Sequence, residues 1–162
     1  MVMFINQRAQ MNLPAELDRL IRGLKGEWKI EASMQGRDGG IIKGSGNFVA
    51  KEISMGQGIN SIMNIELKGL GHYEENVLWS FDQWTNEIVN LSVTSDGRVL
   101  YHTGKWTNDS TFELELAGTQ KEKGAKEDVM FSMISSDEVR GHIIVGMAGH
   151  TITVIDYVLR RI

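Results

Sequence analysis

The spacing of hydrophobic positions changes once along the chain, near residue 26. Before this point, apolar residues recur every three to four positions, which places them on one face of a helix. They are Leu13, Leu17, Leu20, Ile21 and Leu24. Pro14 suits the first helical turn, where its missing N–H is not needed, and Asn12 is a candidate cap. The spacing therefore predicts one amphipathic helix that ends near Gly26.

From Glu27 onward, apolar and polar residues alternate, as on β-strands with one face toward water. This period recurs in about ten segments joined by short links, which is typical of an antiparallel meander. Asp96-Gly97 is the strongest turn signal, because it tolerates the positive φ of a tight hairpin. We predict an all-β, up-and-down barrel, since closure leaves no exposed edge strand; a sandwich is the alternative.

Length and composition agree with one globular domain. The chain has 162 residues, of which 41% are hydrophobic and 23% charged, ordinary values for a folded domain. We divide it into an N-terminal arm, residues 1–12, and a single barrel domain, residues 13–162, which includes the helix. The apolar run Met1–Ile5 predicts an extra edge strand or packing arm, with a homodimer contact as the alternative.

Composition and charge exclude several classes of function. The chain has no cysteine, which excludes disulfides, thiolate metal sites and a cysteine nucleophile. A formal net charge of −4 without a basic cluster argues against a nucleic-acid partner. Met1–Ile5 is shorter than the ~7–15 apolar residues of a signal peptide or the ~20 of a membrane span. We therefore predict a cytoplasmic protein without a membrane span.

Short motifs are spread along most of the domain. They are Gly26-x-Trp28 after the helix, Phe81-Asp82, Asp96-Gly97, Gly104 and Tyr157-x-x-Arg160. In these positions the chain resembles an uncharacterised bacterial family of lipocalin-like domains in the calycin superfamily, which is distantly similar to nitrobindins and fatty-acid-binding proteins. It departs from that family at Ser92-Val93-Thr94, where members often carry Trp-x-Asp.

The resemblance implies how the barrel is closed at one end. In calycins the tryptophan after the helix packs against a basic residue near the last strand. Arg160 or Arg161 stands at that place, and Arg160 matches the family motif, so the resemblance implies a structural pair of Trp28 and Arg160. Such a pair is favourable because a guanidinium stacks on an indole face. The superfamily also implies a small ligand in the lumen.

Four histidines are the first candidates for chemistry: His72, His102, His142 and His150. None forms the closely spaced pair that is typical of zinc sites, so we predict no metal site. Haem iron needs only one histidine. However, the residues that follow Trp28 differ from the pattern of the haem-binding branch of the superfamily. We therefore expect no cofactor.

A ten-stranded barrel is hollow unless large side chains fill it. Aromatic and methionine side chains are candidates to line that space, with core filling as the alternative. The candidate lumen residues are Met63, Trp79, Phe81, Tyr101, His102, Phe131, Met133 and Asp156. Tyr101 and His102 are neighbours, so only one of them can face inward. Glu74-Glu75 and the charged segment 120–126 are expected to be solvated loops.

The sequence predicts non-covalent binding of a small apolar or amphipathic ligand in the lumen. One alternative is an isomerase or cyclase that uses His102, Tyr101 or Asp156 as acid or base, which requires two titratable groups converging on the lumen. A second is a dimeric interaction module without a ligand. No Gly-x-Ser-x-Gly elbow occurs, and no Gly-x-Gly precedes a helix. Binding is therefore favoured over catalysis.

Overall fold

A computed structural model describes residues 13–162 of the chain. One N-terminal helix precedes ten antiparallel strands, each paired with its neighbours in sequence, and the first strand pairs with the last to close the barrel. This confirms the predicted all-β, calycin-like barrel and excludes the sandwich. The expected arm, residues 1–12, lies outside the described residues. Within 13–162, no helix is long and apolar enough to cross a membrane.

The elements follow one another with short connections. They are α1 (Ala15–Leu24), β1 (Gly26–Gly36), β2 (Ile41–Ile53), β3 (Gly58–Leu67), β4 (Gly71–Asp82), β5 (Glu87–Thr94), β6 (Val99–Trp106), β7 (Thr111–Leu116), α2 (Thr119–Glu122), β8 (Ala125–Met133), β9 (Glu138–Met147) and β10 (His150–Arg161). A 3-10 turn at Ser54–Gly56 joins β2 to β3. The segment 120–126, expected to be a loop, instead holds most of α2 and the start of β8.

Helix α1 covers one end of the barrel, which we call the closed end. Its apolar stripe is buried, as its spacing predicts. Two indole N–H groups donate to its backbone: Trp28 Nε1 to the Leu24 carbonyl at 2.9 Å and Trp106 Nε1 to the Glu16 carbonyl at 3.2 Å. The first bond satisfies a carbonyl at the C-terminal end of α1, where intrahelical partners are missing, and both bonds hold α1 on the barrel.

The arginine that packs on Trp28 is Arg161, and the prediction of Arg160 is wrong. The Arg161 guanidinium carbon lies 4.0 Å from the Trp28 ring centroid. Its Nη1 donates to the Lys25 carbonyl at 2.7 Å and its Nε to the Ser136 carbonyl at 2.8 Å. Arg161 is also opposite Trp28 in the β1–β10 register. Because side chains alternate along a strand, Arg160 lies outside the barrel.

Two inward glycines let neighbouring strands approach closely. A Cβ at Gly46 of β2 would overlap the Asn64 carbonyl oxygen, and one at Gly104 of β6 would overlap the Glu113 carbonyl oxygen. From the sequence, Gly44 and Gly46 suggest a bend or bulge in this strand. In the structure, however, β2 pairs with β1 and β3 without a shift of register. The glycines therefore serve close approach in a regular ladder.

Candidate functional site

Strand alternation decides which of the predicted residues enter the lumen. Trp79, His102 and Phe131 are buried there, and three further side chains on inward positions pack partly buried against the core. These three are Met63, Phe81 and Met133. Of these six residues, the four that line the internal cavity described below are Met63, Trp79, His102 and Phe131. Their contact with a ligand remains a prediction.

Tyr101 and Asp156 lie on the outer wall, so their predicted place in the lumen is wrong. Tyr101 is 41% exposed, because its neighbour His102 takes the inward position on β6. The Asp156 side chain is 64% exposed and hydrogen bonds to His142 Nδ1 at 2.6 Å. Tyr157 and Leu159 bring the large apolar side chains of β10 into the core, which leaves position 156 in solvent. Asp156 is thus a surface residue that hydrogen bonds to His142.

Aromatic rings fill the half of the lumen nearer α1. Phe112 stacks on Phe131 with 5.0 Å between ring centroids, and Trp79 meets Phe131 edge-on with 5.5 Å between centroids. Trp106 packs edge-on against Phe112 and Tyr157 against Phe131, with centroid distances of 5.0 and 5.7 Å. Edge-to-face and offset pairs at these distances are favourable beyond the area that they bury. We call these five residues the aromatic cluster.

Polar side chains occupy the other half of the lumen. They are Glu75 on β4, Asn90 and Ser92 on β5, His102 on β6 and Glu127 on β8, and we call them the polar cluster. Glu75 was expected in a solvated loop. That prediction is wrong, because β4 begins at Gly71, where it pairs with Leu67 of β3, and the strand carries Glu75 inward.

The polar cluster contains buried atoms without hydrogen-bond partners. Asn90 Oδ1, Ser92 Oγ and His102 Nε2 have none among residues 13–162. His102 Nε2 lies 3.4 Å from Glu127 Oε1, an ion-pair distance, and these side chains are only 4% and 12% exposed. A buried polar atom without a partner costs about 1–3 kcal/mol. A cluster that carries several such atoms is a candidate binding site.

Burial raises the pKa of ionisable side chains in this half of the lumen. It raises the pKa of the Glu75 carboxyl, and the neighbouring Glu127 carboxylate raises it further. The Tyr73 hydroxyl donates to Glu75 Oε2 at 3.3 Å, and burial also raises the pKa of Tyr73. Glu75 therefore holds a proton more tightly than an exposed glutamate does.

Members of both clusters line a small internal cavity. Its volume is about 50 Å³, enough for a few water molecules but far below the roughly 300–1,000 Å³ of pockets for drug-sized ligands. The polar cluster contributes Glu75, Asn90, His102 and Glu127 to its wall, and the rest is mainly apolar. Large side chains thus fill most of the barrel. Within 13–162, no group of three or more His, Cys, Asp or Glu side chains is placed to hold a metal ion.

Sequence reasoning found His102 but missed the other members of the polar cluster. On β5 the inward positions carry Asn90 and Ser92, while the apolar Leu91 and Val93 are exposed. The hydrophobic face of this strand therefore points outward, against the usual rule. One signal was present: in the hairpin around Asp96-Gly97, Asn90 pairs with His102, so polar residues of two strands share a face.

Comparison with known proteins identifies the fold. No family model and no curated protein matches the sequence. The S-type phycobiliprotein lyase CPES from Guillardia theta is similar in structure, with a TM-score of 0.70 and 8% identity over 96% of this chain and 98% of that one. Rv2717c from M. tuberculosis matches with a TM-score of 0.69 and 14% identity over 93% and 99%. At these identities the likeness shows the fold alone.

Proposed function

We propose that the barrel binds a small amphipathic molecule non-covalently, with its polar end at the polar cluster. The observation that carries this proposal is the set of buried atoms of Asn90, Ser92 and His102 without partners among residues 13–162, of which those of Asn90 and His102 belong to side chains that line the cavity. A ligand that hydrogen bonds to them removes a desolvation cost that the empty fold bears. Its apolar part would lie against Trp79 and Phe131, which line the same cavity.

The volume of the cavity limits the size of the ligand. About 50 Å³ accommodates a group of a few heavy atoms, whereas a longer chain needs a side chain to move. Met63 lines the cavity and is only partly buried. Methionine is unbranched and adapts to irregular shapes, so Met63 is the residue that we expect to move. The proposal is therefore for short-chain molecules.

The test is a titration with straight-chain alcohols from 1-propanol to 1-hexanol, followed by NMR of ¹³C-methyl methionine. The Met63 signal is expected to shift and saturate, while that of Met55, which is exposed on the surface, stays in place. A matched pair of variants locates the site: Val77→Phe fills the cavity, and Leu78→Phe adds the same ring outside. Absence of a saturating Met63 shift with every alcohol would contradict the proposal.

Acid–base catalysis is the second candidate. With Tyr101 and Asp156 outside, His102 is the one acid–base residue of the sequence prediction that faces the lumen, and Glu127 supplies a second titratable group 3.4 Å away. Native mass spectrometry of protein from cells would identify a retained molecule. Conversion of that molecule by the wild type but not by His102→Gln supports catalysis of the isomerase or cyclase type; an unchanged molecule supports binding alone.

A homodimer is a further candidate, with two possible contact surfaces. The homodimer is predicted to form through Met1–Ile5, which lies outside the described residues, or through an exposed strand, and the cytoplasmic location stays a prediction. The outer wall offers a surface of the second kind, since Leu78, Leu91 and Tyr101 form an exposed apolar row across β4, β5 and β6. Light scattering of the wild type and of Leu91→Lys tests this alternative: a dimer through this row dissociates in the variant.

A further inference from the structure

We infer that the polar cluster selects a protonated amine as the polar group of the ligand. This inference rests on the proposed function and narrows it to one chemical class, a short-chain alkylammonium ion. Three independent features of the cavity wall support the assignment: its charge, its hydrogen-bonding groups and its aromatic surface.

The charged residues on the cavity wall favour a cation. Glu75 and Glu127 both line it, and within residues 13–162 no lysine or arginine does. Arg98, in the hairpin between β5 and β6, has its Nε engaged by the Asp96 carboxylate at 2.9 and 3.1 Å. A buried cation is stable only beside a compensating charge. Two carboxylates provide that charge for an ammonium group and repel an anionic one.

The hydrogen-bonding groups also match an ammonium donor. Ionised Glu75 and Glu127 only accept hydrogen bonds, and the unpartnered Asn90 Oδ1 is a further buried acceptor. The Tyr73 hydroxyl is already directed at Glu75. An ammonium group carries three N–H donors and no acceptor, so it fits a wall that is rich in acceptors. A carboxylate or phosphate would bring still more acceptors to the same place.

The aromatic lining of the cavity is compatible with the same ligand. Trp79, Phe131 and Tyr157 line it together with the carboxylates. Aromatic faces attract cations at short distance, and aromatic rings also cover the first carbons of an alkyl chain. The cavity thus offers negative charge together with apolar surface.

Ligand charge should also set how binding depends on pH. The polar and titratable groups around Glu75 are Tyr73, Ser92, His102 and Glu127. Burial raises the Glu75 pKa, so an ammonium ion must displace a proton from this carboxyl at low pH. Alkylammonium ions, like lysine, keep their charge up to about pH 10. We expect amine affinity to rise as the pH increases through the raised Glu75 pKa and alcohol affinity to stay constant.

The experiment compares n-hexylamine, 1-hexanol and hexanoate, three probes with one chain length, in the Met63 titration at pH 7. Hydrogen bonds to charged groups predict that the amine binds at least about tenfold more tightly than the alcohol, with hexanoate weakest. Glu75→Gln and Glu127→Gln should each reduce this preference, measured as the ratio of n-hexylamine to 1-hexanol affinity on the same variant. Glu74→Gln, one position from Glu75 on the same strand, is the matched control and should preserve the preference.

The outcomes separate this inference from the proposed function. If 1-hexanol binds and n-hexylamine binds no better, the cation inference is wrong and lumen binding stands. If none of the three probes shifts Met63, both fail. Should the glutamine variants lose their fold, which circular dichroism would show, the ranking of the three probes on the wild type decides the question alone.

Discussion

The two halves of the lumen treat buried polar groups in opposite ways. Near α1, each of three indole N–H groups has an acceptor: Trp28 donates to Leu24, Trp106 to Glu16, and Trp79 to the Ser61 hydroxyl at 2.9 Å. In the polar half, atoms of Asn90, Ser92 and His102 are buried without a partner among residues 13–162. The indole groups of the first half thus stabilise the fold, whereas the second half contains the groups that we propose a ligand satisfies.

This difference predicts how substitutions divide. Changes in the aromatic half should reduce the free energy of unfolding and thereby affect binding only through folding. Changes in the polar half should alter ligand affinity with little loss of stability, since a group without a partner contributes no hydrogen bond to the fold. Four predictions test this division, from the largest expected effect to the smallest.

Phe112→Ala should destabilise the fold through the aromatic half of the lumen. The ring is fully buried between Phe131 and Trp106, and its removal leaves a cavity that costs about 3–5 kcal/mol of unfolding free energy. Urea unfolding followed by circular dichroism measures this loss. Leu91→Ala, at a side chain that is 43% exposed, is the control and should cost under about 1 kcal/mol. Equal losses in the two variants would contradict the assigned core.

Arg161→Ala should weaken the closed end. It removes the contact with Trp28 and the hydrogen bonds to the Lys25 and Ser136 carbonyls, which together predict a loss of about 2–3 kcal/mol. Arg160→Ala removes only surface ion pairs with Glu31 and Glu138 and should cost under about 1 kcal/mol. A larger loss of unfolding free energy for Arg160→Ala than for Arg161→Ala would instead support Arg160 as the residue that closes the barrel, as predicted from the sequence.

Two buried serines, one in each half of the lumen, allow the most direct comparison of the two halves. Ser61 and Ser92 are both fully buried. Ser61 accepts a hydrogen bond from the Trp79 indole at 2.9 Å, whereas Ser92 Oγ has no partner at hydrogen-bond geometry within residues 13–162. Ser61→Ala leaves that N–H unsatisfied and should cost about 1–2 kcal/mol, whereas Ser92→Ala should change stability by under about 0.5 kcal/mol. Thermal unfolding of the two variants gives the values. Similar costs would show that the halves do not differ as described.

Glu75→Gln should change how stability depends on pH. Because the folded-state pKa of Glu75 is raised above its ordinary value of 4.5, the stability that this group contributes is complete at low pH and is lost as pH rises through the folded pKa. The variant should therefore be more stable than the wild type at pH 8, by under about 1 kcal/mol given partial exposure, and equal to it near pH 4. Melting curves across this range, with Glu74→Gln as control, measure the effect. A wild type that loses no stability relative to the variant would refute it.

The number and order of the strands were predictable because local pattern decides them. On β7, Phe112 and Leu114 alternate with Glu113 and Glu115, and only one face can be buried. The strand then pairs with its sequence neighbours through short turns, so antiparallel order follows without long-range information.

The inward face of β5, β6 and β10 was not predictable in the same way. On β6 and β10 apolar residues occupy both faces, so hydrophobicity alone does not determine which face points inward. On β5 the polar face is inside, and Leu91 and Val93 are exposed. On β10 the choice between Arg160 and Arg161 depends on pairing with β1, which lies more than a hundred residues away in sequence. The start of β4, which carries Glu75 inward, likewise depends on pairing with β3.

The seam between β1 and β10 has a consequence for synthesis. One edge of β1 must wait for β10, because Trp28 to Gly36 pair on that edge with residues 153–161, while β2 pairs with the other edge. Until β10 leaves the ribosome, β1 and β9 both present free backbone edges on which other chains can pair. The nascent protein is therefore most prone to aggregate just before its final strand emerges, and a truncation before His150 should make that condition permanent.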